Sequence, residues 1–386
     1  MSISRRWKSW VGGVAAVGLL GACQTVPVHG NPFSPTPEQP PHHYFSVEWW
    51  TPLVRPPLLE YAPREQARPA YDEKNERVIA STRDGYVRSV AADGHEVWSY
   101  RVGTLFYAGA TVEDDTVYVP GTDGRLHALD ARTGQVRWKY AAEEALSTAP
   151  VIAGELVLVA SQSDTLFAVK RATGELAWLY RRDPPSGFTI HRTSTPAVRG
   201  QSVWVGFSDG SLVSLDVTDG SVRWEKSLAA SGTLQFMDVD TSPVLDASGR
   251  VYAASYSGGL YALDAETGDV VWNTVAAGFT SLMVHGDVVI ATGDDRLDAY
   301  LADNGRLIWS RPLDERAGLD AVLAKGMILV PAQRALLFVD PRTGRSRVAW
   351  NPGKGISAPP RIVGNRAYVL SNNGYLYSLR LDGRSS

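Results

Sequence analysis

The sequence predicts an all-β protein: an eight-bladed β-propeller of four-stranded antiparallel blades, its ring closed by pairing an N-terminal strand with the C-terminal blade. Three observations carry the prediction. Tryptophan recurs at positions 98, 138, 178, 224, 272, 309 and 350, spacings near forty residues that suit a unit of several short strands. A strand–turn–strand frame repeats in step with those tryptophans. Finally, Trp49-Trp50-Thr51-Pro52-Leu53-Val54 has the shape of the strand that the last unit lacks.

Composition agrees. The chain has 386 residues, of which 44% are hydrophobic and 20% charged, enough to bury a core and too apolar for a disordered chain. Glycine (36) and proline (23) are plentiful while methionine (4) is scarce, which favours a turn-rich β protein over a helical bundle. One cysteine excludes an internal disulfide and a thiolate metal site. A net charge of −3, from 38 basic and 41 acidic residues, excludes the strongly basic field of a nucleic-acid binder.

Residues 1–22 are expected to be a lipoprotein signal peptide. Arg5, Arg6 and Lys8 precede an apolar run from Trp10 to Leu20, about half the roughly 20 residues of a membrane-spanning helix. Leu20-Gly21-Ala22-Cys23 resembles a bacterial lipobox, so Cys23 is the expected lipidation site and new N-terminus. Gln24 follows, where an aspartate would signal inner-membrane retention; the expected location is the periplasmic face of the outer membrane. Residues 23–43, with prolines at 27, 32, 35, 37, 40 and 41, read as a semi-rigid tether. His42-His43 within it lack further ligands and read as solvated polar residues.

The propeller is expected over 44–386. Its clearest unit runs from Leu126 to Trp138: apolar alternation at Leu126 and Ala128, then at Val136 and Trp138, marks two strands. Asp130, Thr133 and Gly134 supply the turn, the first two by bonding local backbone and the glycine by taking positive φ. The frame recurs as Ala168…Gly174…Trp178, Ser214…Gly220…Trp224, Ala262…Gly268…Trp272 and Ala299…Gly305…Trp309. Small residues at the alanine slot admit a neighbouring blade, and tryptophan fills the gap between blades. Lys170 replaces the turn aspartate in the third unit, and Gly344 lies six residues before Trp350 rather than four, which preserves the facing of the strand. The last unit, Gly374 to Gly383, lacks a tryptophan strand, and the Trp49 segment supplies it.

This pattern resembles the quinoprotein-type tryptophan repeat, found in quinone-dependent dehydrogenases and in the outer-membrane assembly lipoprotein family BamB. The resemblance to BamB spans nearly all of the chain after the signal, including the lipobox and the ring closure, and implies an eight-bladed propeller without a catalytic role. The residues favour that setting. A pyrroloquinoline-quinone-dependent oxidoreductase needs calcium ligands and a carboxylate base, and no matching Glu, Asn and Asp set is visible. Gly206-Phe207-Ser208-Asp209-Gly210 fits the hydrolase elbow as a pattern but occupies the same turn as Gly121-Thr122-Asp123-Gly124 in another blade. Asp238-Val239-Asp240-Thr241-Ser242 begins like a calcium loop, yet Pro243 stands where glycine is required. The seven histidines are scattered apart from the tether pair. The expectation is no catalytic constellation, no metal and no cofactor.

Binding is expected in the two longest gaps between tryptophans, Arg181 to Thr195 and Ala229 to Thr241. Each joins the outer strand of one blade to the inner strand of the next, so both emerge on one face of the ring, in neighbouring blades. Loops on a rigid scaffold commonly carry recognition. The first offers Phe188, Ile190, His191 and Arg192; the second offers Asp238 and Asp240. An apolar anchor beside a carboxylate pair suits a protein interface better than a substrate pocket. The resemblance to BamB implies that such loops contact the periplasmic domains of the barrel-inserting protein BamA, with nascent outer-membrane proteins as further partners. Asp238 and Asp240 match the family's Asp-x-Asp; in the first loop the basic residue aligns with His191 while Arg192 lies one place on. Three other readings of these aspartates and of the fold stay open at this point: turn capping by the two carboxylates, a quinone-cofactor-dependent oxidoreductase-like propeller, and a repeat lipoprotein with a different envelope partner.

Overall fold

The computed structural model describes residues 44–54, 64–183, 193–229, 237–313, 317 and 320–382. The expected signal peptide, the expected lipidation site Cys23 and the expected tether lie outside them. The described strands form eight four-stranded antiparallel sheets. Blades 1 to 7 are continuous in sequence, at 70–101, 111–141, 151–181, 197–227, 244–274, 279–312 and 322–350. Blade 8 combines 361–381 with the N-terminal strand Phe45–Pro52, which pairs antiparallel with Tyr375–Leu381. The chain is thus the eight-bladed propeller that the repeat predicts, closed as predicted.

Burial follows blade position. The second and third strands of each blade are covered on both faces, so Val117, Tyr118 and Val119 are buried in succession. Outer strands alternate, as in Val136–Ala141, because only one face meets a neighbouring blade. The apolar core is therefore a set of thin layers, one in each gap between adjacent blades. Ile79, Val87 and Trp98 of blade 1 meet Val117, Val119 and Leu129 of blade 2; Leu329 and Phe338 of blade 7 meet Val369 and Leu379 of blade 8; Tyr368 and Leu370 of blade 8 meet Val78 and Ala80 of blade 1.

The tryptophans work as keys in these gaps. Trp98 of blade 1 reaches the outer turn of blade 2, where its indole N–H donates to Ala131 O at 2.9 Å. Trp138 does the same to Arg171 O, Trp178 to Val217 O, Trp224 to Ala265 O, Trp272 to Ala302 O and Trp309 to Pro341 O. Each indole lies flat on the turn glycine of the next blade: a Cβ on Gly134 would sit 2.7 Å from Trp98 Cε3. The glycine is needed twice, for φ of +73° and for the space. In each frame the strand pairing also carries a bulge beside the key, as between Ala128 and Leu129 opposite Trp138, which deepens its twist.

The two joints of blade 8 differ. Trp49 on the N-terminal strand is the key into blade 1, donating to Ala92 O at 2.6 Å and resting on Gly94. At the joint of blades 7 and 8 the structure departs from the expected frame. Trp350 pairs with Leu336, the slot held by Tyr140 opposite Leu126 in blade 2, whereas the key slot holds Val348 opposite Phe338. The large and small partners have exchanged strands. Phe45 compensates, stacking on Phe338 at 4.9 Å and meeting Trp350 edge-on at 5.5 Å, with Tyr377 also edge-on to Trp350 at 5.1 Å.

The seam between blades 8 and 1 is pinned by a buried carboxylate. Glu65, 1% exposed, accepts from Arg83 N–H at 2.9 Å and pairs with Arg83 Nη1 at 2.5 Å, while its own N–H donates to Asn372 Oδ1 of blade 8 at 3.0 Å. Burial pushes the Glu65 pKa up to about 7, against the pull of Arg83. A folded pKa above the unfolded value of 4.5 means that this group's stabilisation is full below 4.5 and lost as pH rises through about 7. We expect the melting temperature of Glu65→Gln to depend less steeply on pH than that of the wild type across that window, by a few degrees at its upper end. Parallel thermal-melt profiles would refute the pin as a titrating group.

Candidate functional site

Inter-blade connections and the turns between second and third strands emerge on one face. There, the described ends of the two long connections meet. Ser194 begins the inner segment of blade 4 and Thr241 that of blade 5; each precedes a proline by two residues and turns a hydroxyl inward. Ser194 Oγ receives Gly206 N–H at 3.1 Å and donates to Thr241 O at 3.1 Å, and Thr195 N–H donates to Ser242 Oγ at 3.2 Å. Thr241 Oγ1 in turn receives Ala254 N–H at 2.9 Å and donates to Ala254 O at 3.1 Å. Short hydroxyl residues at this spacing thus tie each connection to its own blade and to the next connection.

Between these anchors lie Asp238 and Asp240. Val239 N–H donates to Phe207 O at 3.0 Å, and Tyr256 N–H donates to Asp238 O at 3.0 Å, so the acidic segment is held against the turns of blades 4 and 5. Close approach of Val239 O leaves no room for a side chain at Gly206. Both aspartates are covered, at 1% and 6% exposure. Folding places both carboxylates behind the surface, because the segment that carries them is laid flat across two blades. Phe188, Ile190, His191 and Arg192 lie outside the described residues.

Two further residues belong to this corner and are not singled out by sequence. Arg182, at the root of the first connection, donates from Nε to Asp209 Oδ2 at 2.6 Å, from Nη2 to Glu225 Oε1 at 2.9 Å and from Nη1 to Tyr180 OH at 3.1 Å. Its guanidinium also lies over the Phe207 ring. Burial works against its charge, yet the bonds to Glu225, Tyr180 and Asp209 raise its pKa above the usual arginine value. Asp164, at the turn of blade 3, accepts from Ser208 N–H at 3.2 Å and from the Ser208 hydroxyl. Burial raises its pKa, the Ser208 bonds oppose that, and the charges of Asp209 and Asp238 add to it. Blades 3, 4 and 5 are therefore coupled here through an acidic set with one arginine clamp. The signal in the sequence is Arg181-Arg182 directly after Trp178-Leu179-Tyr180, where the connection begins.

The hydrolase-like pattern is a tight turn: Gly210 N–H donates to Phe207 O, and the Ser208 hydroxyl is engaged by Asp164. No group of three His, Cys, Asp or Glu positioned to hold a metal ion occurs among the described residues. What this corner offers is a stiff, hydrogen-bonded base from which two connections project on the same side.

Comparisons with known proteins place the fold in a lineage. The family profile described as outer membrane protein assembly factor BamB matches residues 83–311 and 293–386. The BamB of Salmonella typhimurium is 33% identical over 322 residues, 78% of this chain and 81% of that protein. The crystal structure of BamB from Moraxella catarrhalis superposes with a TM-score of 0.77 at 22% identity, covering 87% of this chain and all of that one. A quinohemoprotein alcohol dehydrogenase from Comamonas testosteroni gives 0.69 at 14% identity, over 89% of this chain and 77% of its own, a likeness of fold alone. Profile, relative and architecture agree: this chain belongs to the outer membrane protein assembly factor BamB family.

Proposed function

We propose that this protein is a non-enzymatic scaffold lipoprotein of the outer-membrane β-barrel assembly machinery, anchored through Cys23 and facing the periplasm. The 23–43 tether sets the ring clear of the lipid, and the propeller binds the periplasmic domains of a BamA-like barrel-inserting protein. Phe188, Ile190, His191 and Arg192 of the first connection and Asp238 and Asp240 of the second form the binding site, with nascent outer-membrane proteins as further partners. The observation that carries the reading is the joining of the two connections at their roots, in a chain of the BamB family: Ser194 to Thr241, and Thr195 to Ser242.

The mechanism is positional. A ring stiffened by keyed joints gives up little conformational freedom on binding, so the cost of association falls mainly on the partner. A standard interface would bury roughly 800 Å² on each side. The test is affinity capture from detergent-solubilised envelope with the full lipidated chain as bait. A barrel-inserting outer-membrane protein is expected as a main co-purifying species; its absence under conditions that recover intact barrel-assembly complexes would overturn the reading.

A further inference from the structure

A cavity of about 190 Å³ opens beside blade 1, on the face where the inter-blade connections emerge. Its walls are the segment 64–66 that leads into blade 1, Ser81 and Arg83 of that blade, and the stretch 105–107 of the connection that leads out of it.

Other blades fill the corresponding place with an aliphatic side chain. Four residues before the proline that precedes the inner strand stand Leu146 ahead of blade 3, Val239 ahead of blade 5 and Ile356 ahead of blade 8, all buried. Ahead of blade 1 that residue is Glu65. The backbone keeps its role: Leu146, Val239 and Ile356 donate their N–H to the preceding blade at Gly121 O, Phe207 O and Ala332 O, and Glu65 donates to Asn372 Oδ1. The side chain has changed from one that packs to one that pairs with Arg83.

Ser81 is a second departure from the repeat. It pairs with Val87 as Ala160 does with Leu166, Gly206 with Leu212 and Ala254 with Leu260, so blades 3, 4 and 5 have no side-chain oxygen there. Ser81 is 1% exposed and its hydroxyl carries no hydrogen bond. The hydroxyls of Ser89 and Ser214 are orphaned too, but these residues stand opposite Trp98 and Trp224, where the joint requires a small residue. No such reason applies to Ser81, and an unmatched hydroxyl in a residue that lines a cavity points to a ligand.

The walls are fixed in place. Val102 and Gly103 donate to Gly85 O at 2.9 and 3.0 Å, Thr122 Oγ1 donates to Leu105 O at 2.9 Å, and Gly109 approaches Arg68 O too closely for a Cβ. Phe106 is buried in the layer between blades 1 and 2, whereas Leu105 and Tyr107 are 55% and 40% exposed.

We propose that this cavity seats a tyrosine side chain presented by a partner polypeptide. An apolar cavity of about 150 Å³ holds a benzene ring, so the volume suits one aromatic ring. Leu105, Phe106 and Tyr107 give that ring apolar and aromatic contact. A phenolic hydroxyl both donates and accepts, and rotation of Ser81 about χ1 brings its oxygen round to meet it. The exposed parts of Leu105 and Tyr107 extend the apolar surface beyond the cavity, which favours a chain that continues past it over a free phenol. The site stands apart from the connections of blades 3 to 5 and does not depend on the partner assigned to them.

The test uses the purified full chain and three probes: the acetylated and amidated peptide Gly-Gly-Tyr-Gly-Gly, its phenylalanine counterpart, and p-cresol. Titration followed by saturation-transfer NMR is expected to show the tyrosine peptide binding more tightly than p-cresol, and about fivefold more tightly than the phenylalanine peptide. Ser81→Ala is expected to bind the two peptides equally and to melt no lower than the wild type, since the hydroxyl it loses is unmatched in the free protein. If that variant does not fold, Leu105→Ser, which alters an exposed side chain, is expected to weaken the tyrosine peptide several-fold. Failure of the wild type to bind the tyrosine peptide, equal binding of both peptides, tighter binding of p-cresol, or a folded variant that behaves as the wild type would overturn the proposal.

Discussion

If the proposed site is right, alanine at both Asp238 and Asp240 is expected to lower recovery of the proposed barrel-inserting partner about tenfold or more, because removing a central charged group from an interface commonly costs a few kcal/mol. The covered position of both carboxylates shapes how that loss arises. Asp238 sits close enough to Asp164 for their charges to interact, and its backbone is bonded to blade 5. Under the proposed reading, the pair would contribute charge to the surface from beneath, while backbone bonds seat the segment. Truncating buried, bonded aspartates also costs stability, about 1–3 kcal/mol each, so melting temperature is to be measured beside capture. Asp238→Asn/Asp240→Asn separates the two effects: it keeps the shape, and we expect it to fold like the wild type yet bind several-fold more weakly. Full capture by the asparagine variant would eliminate charge as the determinant; full capture by the alanine variant would remove these residues from the site.

Gly134→Ala is expected to destabilise the ring by about 2–4 kcal/mol, while Gly103→Ala costs about 1 kcal/mol. Both glycines have positive φ, +73° and +87°. They differ in what a methyl group would meet: Trp98 Cε3 at 2.7 Å for Gly134, and nothing within 4 Å for Gly103. The Trp98 ring has no retreat, since it is 8% exposed and its N–H is committed to Ala131 O. Urea-denaturation midpoints report the contrast. Equal shifts would mean that backbone strain alone is at work and that the indole does not lock the joint.

Much of this architecture is legible in the amino-acid sequence because the repeated unit couples three levels at once. A tryptophan and the small residue opposite it are dictated by the close approach of the following blade, and the turn glycine four residues earlier by the approach of the preceding one. Legibility fails at Trp350, where the presence of an indole does not fix its slot: bulk has moved from the outer strand to Phe338, and only pairing reveals the exchange. It fails again at Arg182 and Asp164. Their partners include Asp209 and Ser208 of another blade, and no spacing along the chain announces such a contact. Covered aspartates in a loop are equally hard to foresee, since a run of polar residues normally reads as solvated.

The strand Phe45–Pro52 has a consequence for the order of assembly. Its partners lie at the far end of the polypeptide, with Glu48 and Ser378 separated by 330 positions. In a chain synthesised from its N-terminus, the piece that completes the circle is made early and used last. Until Tyr375–Leu381 emerges, blade 8 offers a bare ladder of donors and acceptors, and the entropy of joining such remote segments makes that step slow. Biogenesis of this protein should therefore pass through an unclosed horseshoe, the stage at which it is most exposed to proteolysis and to pairing with a stranger.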